Sequence, residues 1–304
     1  MSSRWFGNQP FISGAVAVVL LGLAFQAEAQ VPDRSRQYPS RSIGLAGTGR
    51  SFASSANAIF LNPATLGTTP QYLLGAGYIL ASGGETSHAF TAAWTDSTPN
   101  PYNLAMGIAY DFVDFETGSS QNVHGAVTYT VPLGGLAMSV GIGAHHFGGY
   151  GEINSLTSGD AGLALALSQT FYLGIVGQNL IATEGEAPRT VGGGMAFFGG
   201  PFMIALDMSA DLEVPVLTST TGETENVVTW YGGLQFQMIP EAGFRAGIQY
   251  DATHEVFRAG GGLQFVLGRS VGLELGYMQN VDNGDDLRFG VNLDLYNPFG
   301  QPML

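Results

Sequence analysis

The histidines are the first side chains to consider for catalysis or metal binding, and they lie at positions 88, 124, 145, 146 and 254. His145 and His146 are neighbours in a segment whose hydrophobic residues alternate as in a β-strand. Neighbours on a strand point to opposite faces, so these two rings cannot enter one site together. The histidines also lack the spacing of metal ligands. We therefore interpret them as interfacial or loop residues, and we predict no metal and no cofactor.

Other reactive groups are also scarce. Cysteine is absent, which excludes disulfides, thiolate nucleophiles and Cys-based zinc, haem or iron–sulfur sites. Acidic residues cluster near the C-terminus at Asp282, Asp285 and Asp286, but they lack the pattern of a calcium-binding loop. We interpret them as solvated charge. The residue types that could do chemistry therefore predict a protein that is not an enzyme.

The composition indicates a protein that does not face water on all sides. Of the 304 residues, 45% are hydrophobic, 45 are glycine and only 11% are charged. Soluble globular domains contain about 25% charged residues. The net charge is −14, and the 10 basic residues are arginines scattered along the chain. Nucleic acid binding requires a basic face that neutralises phosphates, so that partner is excluded.

The first 29 residues have the three regions of a secretory signal peptide. Arg4 precedes an apolar run from Phe11 to Phe25, and an A-x-A cleavage site follows at Ala27–Ala29. The apolar run is shorter than the ~20 residues that a membrane-spanning helix needs. We therefore predict that residues 1–29 are a signal peptide and that the mature chain is exported.

Beyond residue 69 the hydrophobic residues alternate with small or polar ones. From Leu287 to Leu295, for example, every second residue is apolar and the residues between are Arg288, Gly290, Asn292 and Asp294. One apolar face and one face rich in Gly, Ala, Ser, Thr, Asn and Gln fits lipid outside and a crowded or water-filled lumen inside. The fold class is therefore all-β. The alternation predicts about fourteen strands, near 70–81, 87–96, 103–113, 121–131, 135–147, 159–168, 170–178, 189–198, 201–211, 226–238, 242–251, 256–266, 271–280 and 286–296.

These strands predict a transmembrane antiparallel β-barrel over residues 70–304. An even strand number and strands of ~9–11 residues are typical of barrels in the bacterial outer membrane. Turns after even-numbered strands are mostly tight, and connections after odd-numbered strands are mostly longer and more polar. Short periplasmic turns opposite long outer loops are the expected asymmetry. We therefore predict a location in the outer membrane of a Gram-negative cell, with its lipid as a partner.

Residues 30–69 do not alternate, and they carry a motif. A dozen residues of extended lead are followed by the small-residue stretch Ser42–Gly49 and then by NAIFLNPATL at Asn57–Leu66. Ala56–Leu61 is predicted to form a short helix that stops before Pro63. This opening resembles the N-terminal hatch of FadL-type outer-membrane transport proteins, and the related PorV/PorQ-type barrels share it. The resemblance implies a fourteen-stranded barrel plugged by residues 42–66, with Asn62, Pro63 and Ala64 as the hatch motif.

The resemblance also implies hydrophobic cargo, and four apolar residues of the hatch are best placed to line a pocket for it: Ile59, Phe60, Leu61 and Leu66. The alternative is that these side chains only hold the hatch against the wall. The first functional hypothesis is passive uptake of small hydrophobic molecules, either fatty-acid-like or aromatic. The second is a PorV-like role in secretion or surface attachment, with exported proteins as partners, which the short polar loops at 148–158 and 179–188 keep open. The third is a purely structural barrel.

Charged residues of the last four strands are predicted to face the lumen. An Arg facing lipid near the midplane would cost roughly 2–4 kcal/mol, so the inward assignment is strongly favoured. Neighbouring strands then bring opposite charges together. The set is expected to form a polar network that holds the hatch, or alternatively a gate or head-group site. It consists of Arg245, Arg258, Glu274, Arg288 and Asp294.

Overall fold

The structure is a computed structural model that describes residues 40–53, 56–83, 86–116, 118–148, 155–181, 188–215, 224–268, 270–282, 284 and 286–296. The predicted signal peptide and the lead before residue 40 lie outside these ranges. Two short helices come first, α1 (Ser40–Ile43) and α2 (Ala56–Leu61), and a 3-10 helix follows at Pro63–Thr68. No helix in the described ranges is long and apolar enough to span a membrane.

Fourteen strands make up the rest of the described chain. They are β1 (Tyr72–Ser82), β2 (Ser87–Asp96), β3 (Leu104–Phe115), β4 (Gly118–Pro132), β5 (Ala137–Phe147), β6 (Leu156–Ala166), β7 (Phe171–Gln178), β8 (Arg189–Gly199), β9 (Phe202–Pro215), β10 (Thr224–Ile239), β11 (Ala242–Asp251), β12 (Val256–Leu267), β13 (Val271–Asn280) and β14 (Leu287–Tyr296). The predicted strand number is confirmed. The largest boundary difference is four residues, at the end of β9, which the alternation predicts at 211 and the structure places at 215.

The sheet closes on itself. Each strand pairs antiparallel with its neighbour in sequence, and β1 pairs with β14 from Leu73–Tyr296 to Ser82–Leu287. Closure removes both sheet edges, so every strand has a hydrogen-bonding partner on each side. The predicted all-β, antiparallel fourteen-stranded barrel is confirmed.

The two faces of the wall follow the sequence alternation. On β3, Met106, Ile108 and Tyr110 are exposed on the outside, whereas the intervening Ala109 and Asp111 are buried on the inside. The same pattern places large apolar residues on the outer face of most strands. The outer face is therefore apolar, and the inner face is small or polar.

The two ends of the barrel differ in their connections. One end, called here the short-turn end, has connections such as 200–201 and 240–241, and β1 begins and β14 ends there. The other, called the long-loop end, has connections such as 148–155 and 179–188. The asymmetry that the sequence predicts is therefore present in the structure.

Residues 40–69, called here the inner segment, pack against the inner faces of the strands. Apolar side chains of this segment form three buried clusters with wall residues such as Ala105, Met278 and Ala205. These three residues lie on β3, β13 and β9, so the contacts are distributed around the barrel. The segment therefore occupies the lumen over the described residues. Its action as a hatch, meaning a block to solutes, stays a prediction.

Candidate functional site

The inner segment lies directly on glycines of the wall. A Cβ atom on Gly141 would lie 2.3 Å from the Ala64 nitrogen, and one on Gly174 would lie 2.4 Å from the Arg50 carbonyl oxygen. A Cβ on Gly247 would meet the backbone of the segment equally closely. Any larger residue at these points of β5, β7 and β11 would displace the segment. The small inward residues of the sequence therefore make room for a chain within the barrel.

The motif Asn62, Pro63 and Ala64 fixes the turn between α2 and the 3-10 helix. Asn62 is fully buried, and its Oδ1 accepts a hydrogen bond from the Ala64 nitrogen at 3.1 Å. Its Nδ2 donates to the Arg50 carbonyl oxygen at 2.7 Å, which ties the turn to an earlier part of the segment. The Thr128 hydroxyl of β4 donates to the Pro63 carbonyl oxygen at 2.5 Å. The motif residues thus connect this turn to an earlier part of the inner segment and to strand β4 of the wall.

A buried ion pair, which no pattern in the sequence predicts, holds the other half of the segment. The Asp207 carboxylate of β9 accepts hydrogen bonds from the backbone nitrogens of Gly49 and Arg50, each at 2.7 Å. The Arg50 guanidinium lies 3.8 Å from the same carboxylate oxygen and 4.3 Å from the ring centroid of Tyr231. Arg50 and Asp207 are 157 positions apart, so no local pattern indicates their contact.

Three of the four predicted cargo-contact residues are buried in packing. Ile59, Leu61 and Leu66 are 3%, 4% and 2% exposed, and they pack with alanines of β2, β3 and β4. Phe60 packs against the same cluster but is only partly buried. Three of these side chains therefore hold the segment against the wall, and Phe60 alone keeps a face open to the lumen.

Phe60 contacts a cluster of aromatic and histidine rings on the inner wall. Its ring centroid lies 4.6 Å from that of His124, and the His124 ring lies 5.5 Å from Phe147 in an edge-on arrangement. The His145 and Phe147 rings are 4.7 Å apart. The Phe60 carbonyl oxygen accepts a hydrogen bond from Gln178 Nε2 at 2.6 Å, which fixes the backbone beneath the ring. His124 lies on β4, and His145 and Phe147 lie on the adjacent strand β5, toward the long-loop end.

Each of these two histidines faces a carboxylate. His124 Nε2 lies 3.2 Å from Asp111 Oδ2, and His145 Nδ1 lies 3.3 Å from Asp160 Oδ2. The other ring nitrogen of His145 lies 2.9 Å from Asn179 Oδ1, at the start of a long loop. The expectation of interfacial or loop histidines is therefore wrong for His124 and His145, because the polar inner face buries them. No local sequence pattern indicates this burial, because the carboxylate partners of both histidines come from neighbouring strands.

The described residues hold no group of three or more His, Asp or Glu arranged to bind a metal ion. His146, the neighbour of His145, is exposed on the outer face, as the strand alternation predicts.

The chain also contains a G-x-S-x-G match at Gly268–Gly272, in the turn from β12 to β13. The nucleophile elbow of hydrolases requires a strand-to-helix turn, so this match lacks the structural context of that site.

The five charged residues predicted to face the lumen form separate groups at the two ends of the barrel. Arg245 donates to Glu274 at 2.5 Å and 3.2 Å, and it also donates to Gln264 at 2.9 Å and Gln235 at 3.0 Å. This group lies on β10 to β13 toward the short-turn end. Asp294 is also buried near that end and accepts a hydrogen bond from the Tyr296 hydroxyl at 3.3 Å. The Arg245 bonds join different wall strands, whereas the bond between Tyr296 and Asp294 lies within β14.

The two remaining arginines meet at the long-loop end. Arg258 Nε donates to Asp286 Oδ2 at 2.7 Å, and Arg288 donates to the same carboxylate at 3.1 Å. Burial raises the pKa of Asp286, but the charges and hydrogen bonds of Arg288 and Arg258 outweigh burial and hold the pKa below its usual value. The interpretation of Asp286 as solvated charge is therefore wrong, because it bridges two cations.

The outer face carries one further feature, a groove of about 620 Å³ across β6 to β11. Gly193 and Gly232 face outward at its floor, and Leu206, Met208 and Trp230 are among its walls. The absence of side chains at the two glycines creates the depression. This groove is apolar and belongs to the outer face of the barrel.

Solved structures share this architecture. CymD, a monoaromatic hydrocarbon channel, matches with a TM-score of 0.61 at 15% identity, over 85% of this chain and 96% of that chain. The Pseudomonas putida toluene transporter TodX matches with a TM-score of 0.58 at 11% identity, over 85% and 97% of the two chains. A Pseudomonas aeruginosa FadL homologue gives 0.58 at 12% identity, again over 85% and 97%.

At these identities the likeness concerns the fold. No protein-family model and no curated protein matches the sequence. The comparisons give the alternative role in secretion or surface attachment no support, since the three structures named are a hydrocarbon channel, a toluene transporter and a FadL homologue. The resemblance that the NAIFLNPATL motif carries is thus confirmed as a likeness of structure: the chain has the barrel fold of the FadL-type channels.

Proposed function

We propose that this chain is a channel of the Gram-negative outer membrane that admits small hydrophobic molecules passively. Its outer face is apolar around the barrel, which suits lipid, and its wall has no free sheet edge. The inner segment acts as the hatch, and solutes enter from the long-loop end.

The cargo class is supported by the structural neighbours. Two of them carry names that refer to monoaromatic hydrocarbons and to toluene. A hydrophobic solute needs an apolar surface within reach of the outer opening, because water-filled passages do not favour it. The hatch must therefore present at least one apolar side chain to the lumen.

The partial exposure of Phe60 is the observation that supports this proposal most directly. Among the four apolar hatch residues, Ile59, Leu61 and Leu66 are buried in packing, and Phe60 remains partly exposed beside the rings of His124 and Phe147. An aromatic ring that keeps an open face among other rings provides a contact surface for an apolar or aromatic solute. Phe60 is therefore the first hatch residue that cargo touches.

Uptake of a labelled aromatic solute or long-chain fatty acid tests the proposal in a strain that depends on this protein. We expect uptake to fall to the level of the deletion strain when Phe60→Asp places a charge on the contact surface. The variant Phe60→Leu is the matched control, because it keeps an apolar side chain at the same position, and it should retain most of the uptake.

The amount of folded barrel must be the same in all strains, measured as the band that shifts on boiling in a detergent gel. Equal uptake in cells with and without the protein would overturn the proposed function. Equal loss in Phe60→Asp and Phe60→Leu would show that the ring holds the hatch in place and does not contact cargo.

A further inference from the structure

Two facing side chains on the inner wall each have one polar atom without a hydrogen-bond partner. Asp111 on β3 and Asn122 on β4 are directly paired across the strands. Asp111 is 5% exposed and Asn122 fully buried, yet Asp111 Oδ1 and Asn122 Nδ2 make no hydrogen bond within the described chain. Asn122 Oδ1 accepts a hydrogen bond from the Ser120 hydroxyl at 2.9 Å. Asp111 Oδ2 lies 3.2 Å from His124 Nε2, which also makes no hydrogen bond within the described chain.

Such atoms are costly to leave unpaired. A buried polar atom without a partner destabilises a protein by about 1–3 kcal/mol. Side chains directly opposite each other on paired strands have Cβ atoms about 4.5–5.5 Å apart. A single small polar group between Asp111 and Asn122 would therefore satisfy both atoms at once.

The chemistry of the two atoms selects that group. Asp111 Oδ1 is an acceptor and Asn122 Nδ2 is a donor, so the missing partner must donate one hydrogen bond and accept another. A hydroxyl does both, whereas a carboxylate only accepts. The Asp111 carboxylate also repels an anionic head group. The pair is thus suited to a neutral hydroxyl and unsuited to a fatty-acid carboxylate.

The residues around Asp111 and Asn122 indicate which kind of molecule carries the hydroxyl. Asn122 is paired on its other side with Phe147, and the Phe147 ring lies edge-on to the ring of His124, which contacts Phe60. Asp111 and Asn122 lie each four residues from the strand ends at the long-loop end, on the way to Phe60. Aromatic surface and the polar pair are therefore adjacent, at the opening through which solutes enter.

We infer that the lumen contains a site for aromatic alcohols, in which the phenolic hydroxyl donates to Asp111 Oδ1 and accepts from Asn122 Nδ2. The aromatic ring of the solute packs against Phe147, His124 and Phe60. This inference rests on the proposed function and names its solute class as phenols, beyond plain hydrocarbons.

Calorimetric titration of the purified barrel in detergent with phenol, anisole and toluene tests the site. Anisole keeps the ring and the oxygen but lacks the proton to donate. We expect phenol to bind about tenfold more tightly than either of the others, as two hydrogen bonds at buried atoms allow. A purely apolar pocket gives the opposite order, because the phenol hydroxyl loses its water there. That order would overturn the inference.

A double variant, Asp111→Leu with Asn122→Leu, removes both polar atoms together and should bind phenol no more tightly than toluene. The matched control is Thr130→Val with Ser139→Ala, which removes a second facing polar pair on β4 and β5, joined at 2.9 Å near the short-turn end. The control should keep the phenol preference. The comparison of phenol with anisole on the unaltered protein needs no variant and decides the question if the double variant does not fold.

Uptake measurements separate this inference from the proposed function. If toluene and phenol uptake both depend on the protein but titration shows no phenol preference, the channel function stands and the hydroxyl site is wrong. If neither uptake depends on the protein while phenol binds about tenfold more tightly, the site stands and the channel function is wrong. If the two orphaned atoms hold only water, all three solutes bind in the order of their hydrophobicity, and the inference fails.

Discussion

The Asp207 carboxylate on β9 holds the backbone nitrogen of Arg50 at 2.7 Å, and the Arg50 guanidinium lies 3.8 Å from the same oxygen. Both side chains are almost completely buried. One residue belongs to the inner segment and the other to the wall, so this pair attaches the segment by both its backbone and its charge.

Asp207→Ala should loosen the inner segment while the barrel still inserts. Removing one partner of a buried ion pair costs about 3–5 kcal/mol, because the other charge stays buried. We expect larger and noisier single-channel conductance in planar bilayers and a lower temperature for loss of the folded gel band. Asp211→Asn is the control on the same strand, since the Asp211 carboxylate accepts a hydrogen bond from the Thr190 hydroxyl of the neighbouring strand β8. Conductance equal to that of the unaltered protein would contradict the attachment role.

Gly162→Val should displace the turn of the hatch motif. A Cβ on Gly162 would lie 2.0 Å from Asn62 Oδ1, and Asn62 is fully buried and cannot move aside freely. Overpacking of this kind costs typically 1–3 kcal/mol. Gly125→Val is the matched control, because a Cβ on Gly125 would meet nothing within 4 Å. Thermal loss of the folded band should come earlier in Gly162→Val alone, and equal behaviour of the two variants would refute the contact.

Deletion of residues 42–66 should leave a barrel that inserts and leaks. The wall strands hydrogen-bond to one another in a closed ring, so the barrel does not depend on the segment for its backbone hydrogen bonds. We expect a clear rise in single-channel conductance, because the lumen loses the chain that occupies it. Unchanged conductance in a correctly folded deletion variant would show that another part of the chain closes the lumen.

The turn between β11 and β12 should loosen as the pH rises. The hydrogen bond to Asp251 raises the pKa of His254 more than burial lowers it, and Glu225 adds to the rise. The folded pKa therefore lies above the unfolded value of about 6.5. The stabilisation is complete below that value and is lost as the pH passes the folded pKa. Hydrogen exchange at Thr253 and His254, corrected for intrinsic rates, should accelerate over that range, and His254→Gln should remove the step.

The strands could be predicted from the sequence because each residue's environment repeats with period two. A residue on the outer face and its inward neighbour differ so strongly that Met106 and Gly107 already indicate their faces. The helix Ala56–Leu61 could also be predicted from nearby residues, because Pro63 limits where the helix ends. Features that depend on one residue and its neighbours in sequence were therefore accessible.

The site was less accessible because its contacts join distant parts of the chain. Phe60 and Ile59 are adjacent apolar residues, and only the packed structure shows that one is buried and the other partly open. The partner of His124 and one of the two partners of Asp286, Arg258, come from other strands, and strand register decides which side chains meet. The sequence indicates that lumen charges pair, but it does not indicate which charge pairs with which.

At Gly192–Gly194 strand β8 has no side chain on either face, so the wall there consists of backbone alone. Gly192 and Gly194 face the Arg50 and Asp207 side chains on the inside, and Gly193 lies at the floor of the apolar outer groove. A single strand therefore separates the buried ion pair from the apolar outer groove, and both side chains are almost completely buried. Dissolved ions do not screen charges in such surroundings as they do at a surface. The attachment of the inner segment should accordingly be indifferent to ionic strength, so that the segment stays in place alike in dilute and in salty water.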